Sequence, residues 1–185
     1  MSQEAPGRLE AVRRFVNSVD LEDGPEKLDS PESLVSWLDR HDLGPVEGAS
    51  EADLARAVGL REALRELLLG HHGDHEPDPG AAAVVEEVAR RARLEVRFDP
   101  GGVARVAPGG EGVDAALGRL LAIVAEAQAD GTWARLKACP WETCHWAFYD
   151  HSKNRSGVWC KMEVCGNRAK ARAYRERQSR TRRPT

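Results

Sequence analysis

Hydrophobic residues recur at helical spacing through most of the first 130 positions. Three of the predicted helices begin at a capping signal, namely Ser30-Pro31, Ser50 with Asp53, or Asp78-Pro79. The five predicted helices cover 8–21, the stretch from Ser30 to about His41, the stretch from Ser50 to Gly70, the stretch from Asp78 through Val88, and 112–129. On the fourth helix we expect Val84, Val85 and Val88 to face inward.

One short segment of this region has the alternation of a β-hairpin instead. Residues 94–98 and 103–107 alternate between apolar and polar, and Asp99-Pro100-Gly101-Gly102 between them is typical of a turn. The histidine-containing stretch 71–80 is polar and predicts a solvated surface loop, with a metal site as the alternative. The pattern therefore predicts a mainly α fold with a small β-hairpin (α+β).

Two polar residues interrupt the apolar first helix. Asn17 and Asp20 lie on or near its buried edge, where we expect them to cap or to hydrogen-bond neighbouring backbone, or alternatively to line a small-ligand pocket. The sequence brings together no catalytic residues in this region, and it contains no glycine-rich phosphate loop between a strand and a helix. We therefore expect a protein that is not an enzyme.

All four cysteines lie in a short C-terminal stretch. Cys139 and Cys144 form one pair and Cys160 and Cys165 a second, with four residues inside each pair and fifteen between the pairs. This spacing predicts two knuckles that present four thiolates to one zinc ion. Disulfides, another metal or free thiols are the alternatives. Disulfides would need an oxidising compartment, and the N-terminal residues include no apolar signal core.

A zinc ion held by four thiolates has no open position for water, so the predicted site is structural rather than catalytic. His145 and His151 could each replace a thiolate, although we expect both to lie outside the ligand set. Trp146, Phe148 and Trp159 are expected to form the apolar complement of the metal. Between the cysteine pairs we expect a hairpin whose polar turn, 150–157, carries Lys153 and Arg155 at its tip.

Charge divides the chain into two parts. Residues 135–185 carry a net charge of +9, residues 1–134 carry −12, and the whole chain has −3. So large a split predicts two domains with different partners, 1–134 and 135–185.

The basic charge concentrates in a predicted helix after Cys165 that has no wide apolar stripe. A cationic helix beside a rigid module is typical of nucleic-acid binding, and a solvated or protein-binding tail is the alternative. The candidate contacts on the helix are Arg168, Lys170, Arg172, Arg175 and Arg177, with Lys153 and Arg155 as secondary ones, and basic residues continue through Arg180, Arg182 and Arg183.

The same residues resemble the CGNR zinc-finger family of bacteria. The resemblance is carried by the four cysteines, Trp146, Phe148, Asp150 with Ser152-Lys153, Trp159, Met162 and the run Cys165-Gly166-Asn167-Arg168 followed by Lys170. The segments Phe15-Val16-Asn17-Ser18 and Leu34-Val35-Ser36-Trp37-Leu38 are similar to the start of the ABATE-type domain that precedes the finger in that family. The resemblance implies a stress-linked transcription regulator, four cysteine ligands for zinc, and DNA contact by the finger.

These observations predict a DNA-binding regulator with a small treble-clef- or ribbon-like zinc finger and a C-terminal basic helix. The acidic domain would bind a small-molecule effector or form a homodimer, and it would restrain the basic module electrostatically. An RNA-binding or protein-interaction adaptor with structural zinc is the alternative. We expect a cytoplasmic protein, because no stretch of the sequence is long and apolar enough to span a membrane.

Overall fold

The computed structural model describes residues 4–22, 24–73 and 75–181, and the side chains of residues 4–22, 24–73 and 75–179. Six helices lie in these ranges: α1 Leu9–Val16, α2 Pro31–Arg40, α3 Glu51–Leu69, α4 Pro79–Arg91, α5 Gly112–Ala129 and α6 Asn167–Thr181. Four strands form two antiparallel pairs: β1 Leu94–Phe98 with β2 Ala104–Pro108, and β3 Leu136–Ala138 with β4 Ala147–Tyr149. The expected mainly helical fold with a small hairpin is confirmed.

Helix α5 lies at the centre of the core. It is apolar on nearly all sides, and eleven of its residues are buried, as expected for a helix surrounded by other elements. Helices α1, α3 and α4 pack against it. Its bounds agree with the prediction from the hydrophobic pattern.

Local capping chemistry sets where α2 and α3 begin. Ser30 and Ser50 each accept a hydrogen bond from the backbone N–H three residues on, and the side chains of Ser33 and Asp53 bond back to the cap residue. These reciprocal bonds satisfy backbone groups that the first turn leaves open. On α4 Val88 is buried as expected, but Val84 is exposed, so its predicted inward position is wrong.

Helix α1 ends at Val16, five residues before the predicted end. The carbonyl of Val16 accepts a hydrogen bond from the buried guanidinium of Arg65, and the side-chain hydroxyl of Ser18 accepts one from the buried guanidinium of Arg61. These long-range bonds hold the chain in a turn, and Val19 then forms an isolated bridge with Glu26. The sequence Asp23-Gly24-Pro25 predicts a break after the first helix, and Asp23 lies outside the described residues.

The start of the stretch after α3 is half-buried, so the prediction of a solvated loop is wrong for His71 and His72. His71 Nδ1 lies 2.7 Å from the carbonyl oxygen of Leu136, and His72 Nε2 lies 2.6 Å from that of Ala138. Burial lowers the pKa of His71, which favours the neutral ring at this position. His75 is exposed and contacts Glu66, and most of the described residues after it are exposed as well, as the prediction of a solvated loop requires.

The predicted hairpin between the cysteine pairs is wrong. Strand β4 pairs with β3, which precedes the first cysteine, rather than with a strand after residue 150. As a result the hydrophobic core continues past residue 134. Its members from this part of the chain are Leu136, Ala138, Ala147 and Tyr149.

Among the described residues no helix combines the length and the apolar character needed to cross a membrane.

Candidate metal centre

Two backbone knuckles carry the four cysteines. The first follows β3, where the N–H of Cys139 donates to the carbonyl of Trp146 at 3.0 Å and that of Cys144 donates to Trp141 at 2.9 Å. The second contains Cys160 and a π-helical turn, Met162–Gly166, that leads directly into α6. The sulfur atoms of the four cysteines lie within 4.8 Å of one another, and Cys139 and Cys165 are buried.

The sulfur spacing fits a tetrahedral zinc ion. Cys144 Sγ lies 3.6 Å from Cys160 Sγ, which lies 3.7 Å from Cys165 Sγ. A zinc–sulfur bond of about 2.3 Å in a regular tetrahedron places the sulfurs about 3.8 Å apart. No disulfide joins any of the four cysteines, so the disulfide pairing that the sequence left open is not present.

The ionisation of these thiols also indicates a cation. Hydrogen bonds from Cys144 and Cys160 lower the pKa of Cys139, which favours a thiolate at this position. Burial and repulsion by that thiolate raise the pKa of Cys165 to about 12, and the pKa of Cys160 is raised as well. Four sulfurs this close can all be thiolates only if a positive ion lies among them. The residues present therefore fit zinc, which would be held by Cys139, Cys144, Cys160 and Cys165.

Both histidines near the site lie outside this ligand set. His145 Nε2 is 3.0 Å from the carbonyl oxygen of Glu142, and His151 Nε2 is 2.9 Å from that of Glu4. Among the described residues, the cluster that could hold a metal contains the four cysteines alone. Four thiolates complete a tetrahedral shell, so this centre can hold a fold together but leaves no position for a reactive water.

A buried ion pair that sequence reasoning missed fixes the loop after β4. Lys137 Nζ lies 3.0 Å from Asp150 Oδ2 and also donates to the carbonyls of Arg155 and Gly157. Burial alone would raise the pKa of Asp150, but hydrogen bonds from Ser152, Lys137 and Gly157 outweigh it and lower the pKa to about 2. Asp150 at the start of the polar turn 150–157 was the available signal for the loop, since an Asp side chain at a turn commonly accepts a hydrogen bond from the backbone N–H two residues on.

The predicted nucleic-acid contacts fall into two groups. Arg168 pairs with Glu22 from the helical part, and Arg172 Nη1 lies 2.6 Å from Glu142 Oε1 and its Nε 3.2 Å from Glu176. Arg175 lies on the same face of α6, farther along the helix, whereas Lys170 and Arg177 lie nearly opposite. All three are exposed, as are Lys153 and Arg155 on the loop that Lys137 fixes. Arg180 has no described side chain, and Arg182 and Arg183 lie outside the described residues.

The two polar residues of the first predicted helix occupy different places. Asn17 is buried, and its side-chain amide donates to the carbonyl of Ala147 at 2.9 Å while its Oδ1 accepts from the N–H of Ala147 at 2.8 Å. It also borders an open cavity of about 660 Å³. Asp20 borders a second cavity, of about 530 Å³, beside Cys144 and Cys160.

The fold and the centre define a helical protein that carries a four-cysteine zinc finger. Residues 135–178 match the family model for the CGNR zinc finger. Residues 10–132, well over half of the chain, match the ABATE model, whose description is "Putative stress-induced transcription regulator". The chain belongs to the ABATE family. No curated protein matches it.

Proposed function

We propose that this protein is a transcription regulator that binds DNA through helix α6 and the loop 150–157, and that a structural zinc ion holds both in place. The observation that carries the proposal is the position of α6, which begins two residues after Cys165 and has almost no buried surface. A metal ligand at the base of a helix fixes its direction, and a helix about 10–12 Å wide fits the major groove.

The two faces of α6 have different roles in this proposal. Arg168 and Arg172 lie on one face, toward Glu22 and Glu142, while Lys170 and Arg177 lie nearly opposite, at 100° per residue. Lys170 and Arg177, on the face turned away from Glu22 and Glu142, would make the first phosphate contacts. Arg175, which lies farther along the face of Arg168, would join them. Lys153 and Arg155, on the loop held by the buried pair of Lys137 and Asp150, would make secondary ones.

The helical part would restrain the basic helix through one ion pair. Glu22, from residues 1–134, forms an ion pair with Arg168 of α6. Replacing Glu22 by Gln in the full chain should release this arginine and tighten DNA binding several-fold at low salt, because exposed pairs contribute at most about 1 kcal/mol. Unchanged affinity would remove the restraint from the proposal.

The division into 1–134 and 135–185 is, in this proposal, one of roles. Residues 1–134 would receive the regulatory signal, with the cavities beside Asn17 and Asp20 as candidate effector sites, and residues 135–185 would bind DNA. The two parts share a core, so a change in α1 could reach β4 through the bonds between Asn17 and Ala147.

DNA binding is tested with the full chain by fluorescence anisotropy on a duplex chosen from a random library. The affinity should fall steeply with salt, by about 0.9 log units per log unit of salt for each phosphate contact. Arg175→Ala should lower this slope by about 1 and weaken binding without loss of zinc. Arg90→Ala, an exposed arginine on α4, is the matched control and should leave both unchanged.

The same assay separates the alternative functions. Stronger binding of structured RNA than of duplex DNA would replace the proposal with RNA binding. A flat salt dependence, with no effect of Arg175→Ala, would instead favour a protein-interaction adaptor.

A further inference from the structure

The hairpin of β1 and β2 extends beyond the body that supports it. At its base Leu94 and Pro108 lie against α5, where a Cβ added to Gly118 would be only 3.1 Å from Pro108 Cβ and 3.3 Å from Leu94 Cδ2. Farther along, the same apolar face has no cover: Val96 is 64% and Phe98 70% exposed. Large apolar side chains exposed together on one strand are uncommon in a monomer and indicate an interface.

The outer edge of β1 is also open. The sheet has two strands, so β1 has a partner on one side only. The N–H of Gly109 donates to Arg93 and that of Asp99 to Val103, and bonded residues alternate along an antiparallel ladder. Glu95 and Arg97 therefore bond to β2, whereas the backbone groups of Leu94, Val96 and Phe98 point away from it.

The charged residues of β1 are arranged so that two copies of the strand attract each other. Glu95 and Arg97 lie on the face opposite to Val96, both are exposed, and their side chains already meet at 3.3 Å within the strand. If two β1 strands pair antiparallel about a two-fold axis at Val96, Glu95 lies opposite Arg97 of the second copy, and the reverse. On the other face Phe98 then lies opposite Leu94 of the second copy, beside α5, and is covered.

We propose that two copies of this chain associate through the β1 edge, with Val96 on the two-fold axis, to form a continuous four-stranded antiparallel sheet. Such symmetric strand addition satisfies the open edge of each copy. The proposal concerns self-association and does not depend on DNA binding.

Other registers are less favourable. A two-fold axis at Glu95 or at Arg97 places like charges directly opposite each other, which is destabilising. An axis at Leu94 or Phe98 leaves a single strand residue of each copy paired. The axis at Val96 pairs all five residues of β1. It also places each Glu95 opposite Arg97 of the other copy, so both cross-strand charge pairs are attractive. A contact this small gives a weak, concentration-dependent dimer.

Sedimentation equilibrium of the zinc-loaded full chain, from about 5 to about 500 µM, tests the proposal. The wild type should shift from monomer to dimer over this range. Glu95→Arg should weaken the dimer about tenfold or more, because it places two arginines opposite each other at both symmetric positions. Adding Arg97→Glu to Glu95→Arg restores opposite charges and should restore the dimer, while Glu86→Arg on α4 makes the same charge change elsewhere and should have no effect.

Amide hydrogen exchange identifies the edge itself. Exchange at the Val96 N–H should slow as the concentration rises, whereas the N–H groups of Glu95 and Arg97 are already bonded within the hairpin and should change little. A monomer throughout the range would overturn the proposal. A dimer would also overturn it if the double variant did not recover association, or if exchange at Val96 did not depend on concentration.

Discussion

The contact between Asn17 and Ala147 joins residues 130 positions apart and makes the zinc finger part of the helical body. The side-chain amide of Asn17 bonds both backbone groups of Ala147, as a neighbouring strand would, and both residues are buried. Asn17→Ala removes both partners and leaves a buried N–H and a buried C=O of β4 without a hydrogen bond.

The expected cost follows from the number of groups left unpaired. A buried polar group without a partner costs about 1–3 kcal/mol, so two cost about 2–6 kcal/mol, and water entering the vacated space would recover part of this. We expect a loss of about 2–4 kcal/mol, a large fraction of a typical domain's 5–15 kcal/mol. For a chain of this size the melting temperature should fall by roughly 5–15 °C.

Urea unfolding of zinc-loaded protein, followed by far-ultraviolet circular dichroism, measures this loss. Asn154→Ala, which removes an exposed amide from the loop 150–157, is the control and should change the free energy of unfolding by less than about 0.5 kcal/mol. The Ala147 N–H should also exchange faster in Asn17→Ala. If Asn17→Ala costs no more than the control, the finger is not anchored by this residue.

Three further predictions concern the finger. Cys144→Ser should abolish stoichiometric zinc binding and disorder the finger while most helical signal remains, with a lower melting temperature because the core is shared, as measured by metal analysis and circular dichroism. Asp150→Asn should destabilise the fold by about 2–3 kcal/mol at neutral pH. The folded pKa of Asp150, about 2, is below its ordinary 3.8, so this contribution is present above about pH 4 and is lost as the pH falls toward 2. A pH series of unfolding should therefore show the wild type and the variant converging in acid, and a constant gap would contradict the assignment. Gly157→Ala should destabilise the same loop, because a Cβ there would lie 2.8 Å from the Asp150 carboxyl group, whereas Gly48→Ala, where a Cβ meets no atom within 4 Å, should not.

Local signals in the sequence were sufficient for much of the fold. Ser30 and Ser50 begin helices because their capping partners lie three residues away, within reach of a pattern. The β1–β2 turn and the bounds of α5 follow from alternation and from a continuous apolar stretch in the same way. The cysteine spacing likewise predicted the cluster that the structure forms.

Long-range contacts explain where the predictions failed. Helix α1 ends early because Arg65, 49 residues away, binds the carbonyl of Val16, and no local pattern contains that information. His71 and His72 looked like loop residues because their partners are carbonyls of β3, more than 60 positions later. The ion pair of Lys137 with Asp150, 13 positions later, depends in the same way on the pairing of β3 with β4 and has no local pattern.

In the proposed function one zinc ion, bound by four sulfurs, holds α6 and the loop 150–157 in place. Metal analysis of the purified full chain, combined with X-ray absorption at the zinc edge, measures both the stoichiometry and the ligands. We predict about one zinc per chain with four sulfur neighbours at about 2.3 Å. A chain without zinc, or a zinc ion with nitrogen or oxygen ligands in place of sulfur, would contradict the account.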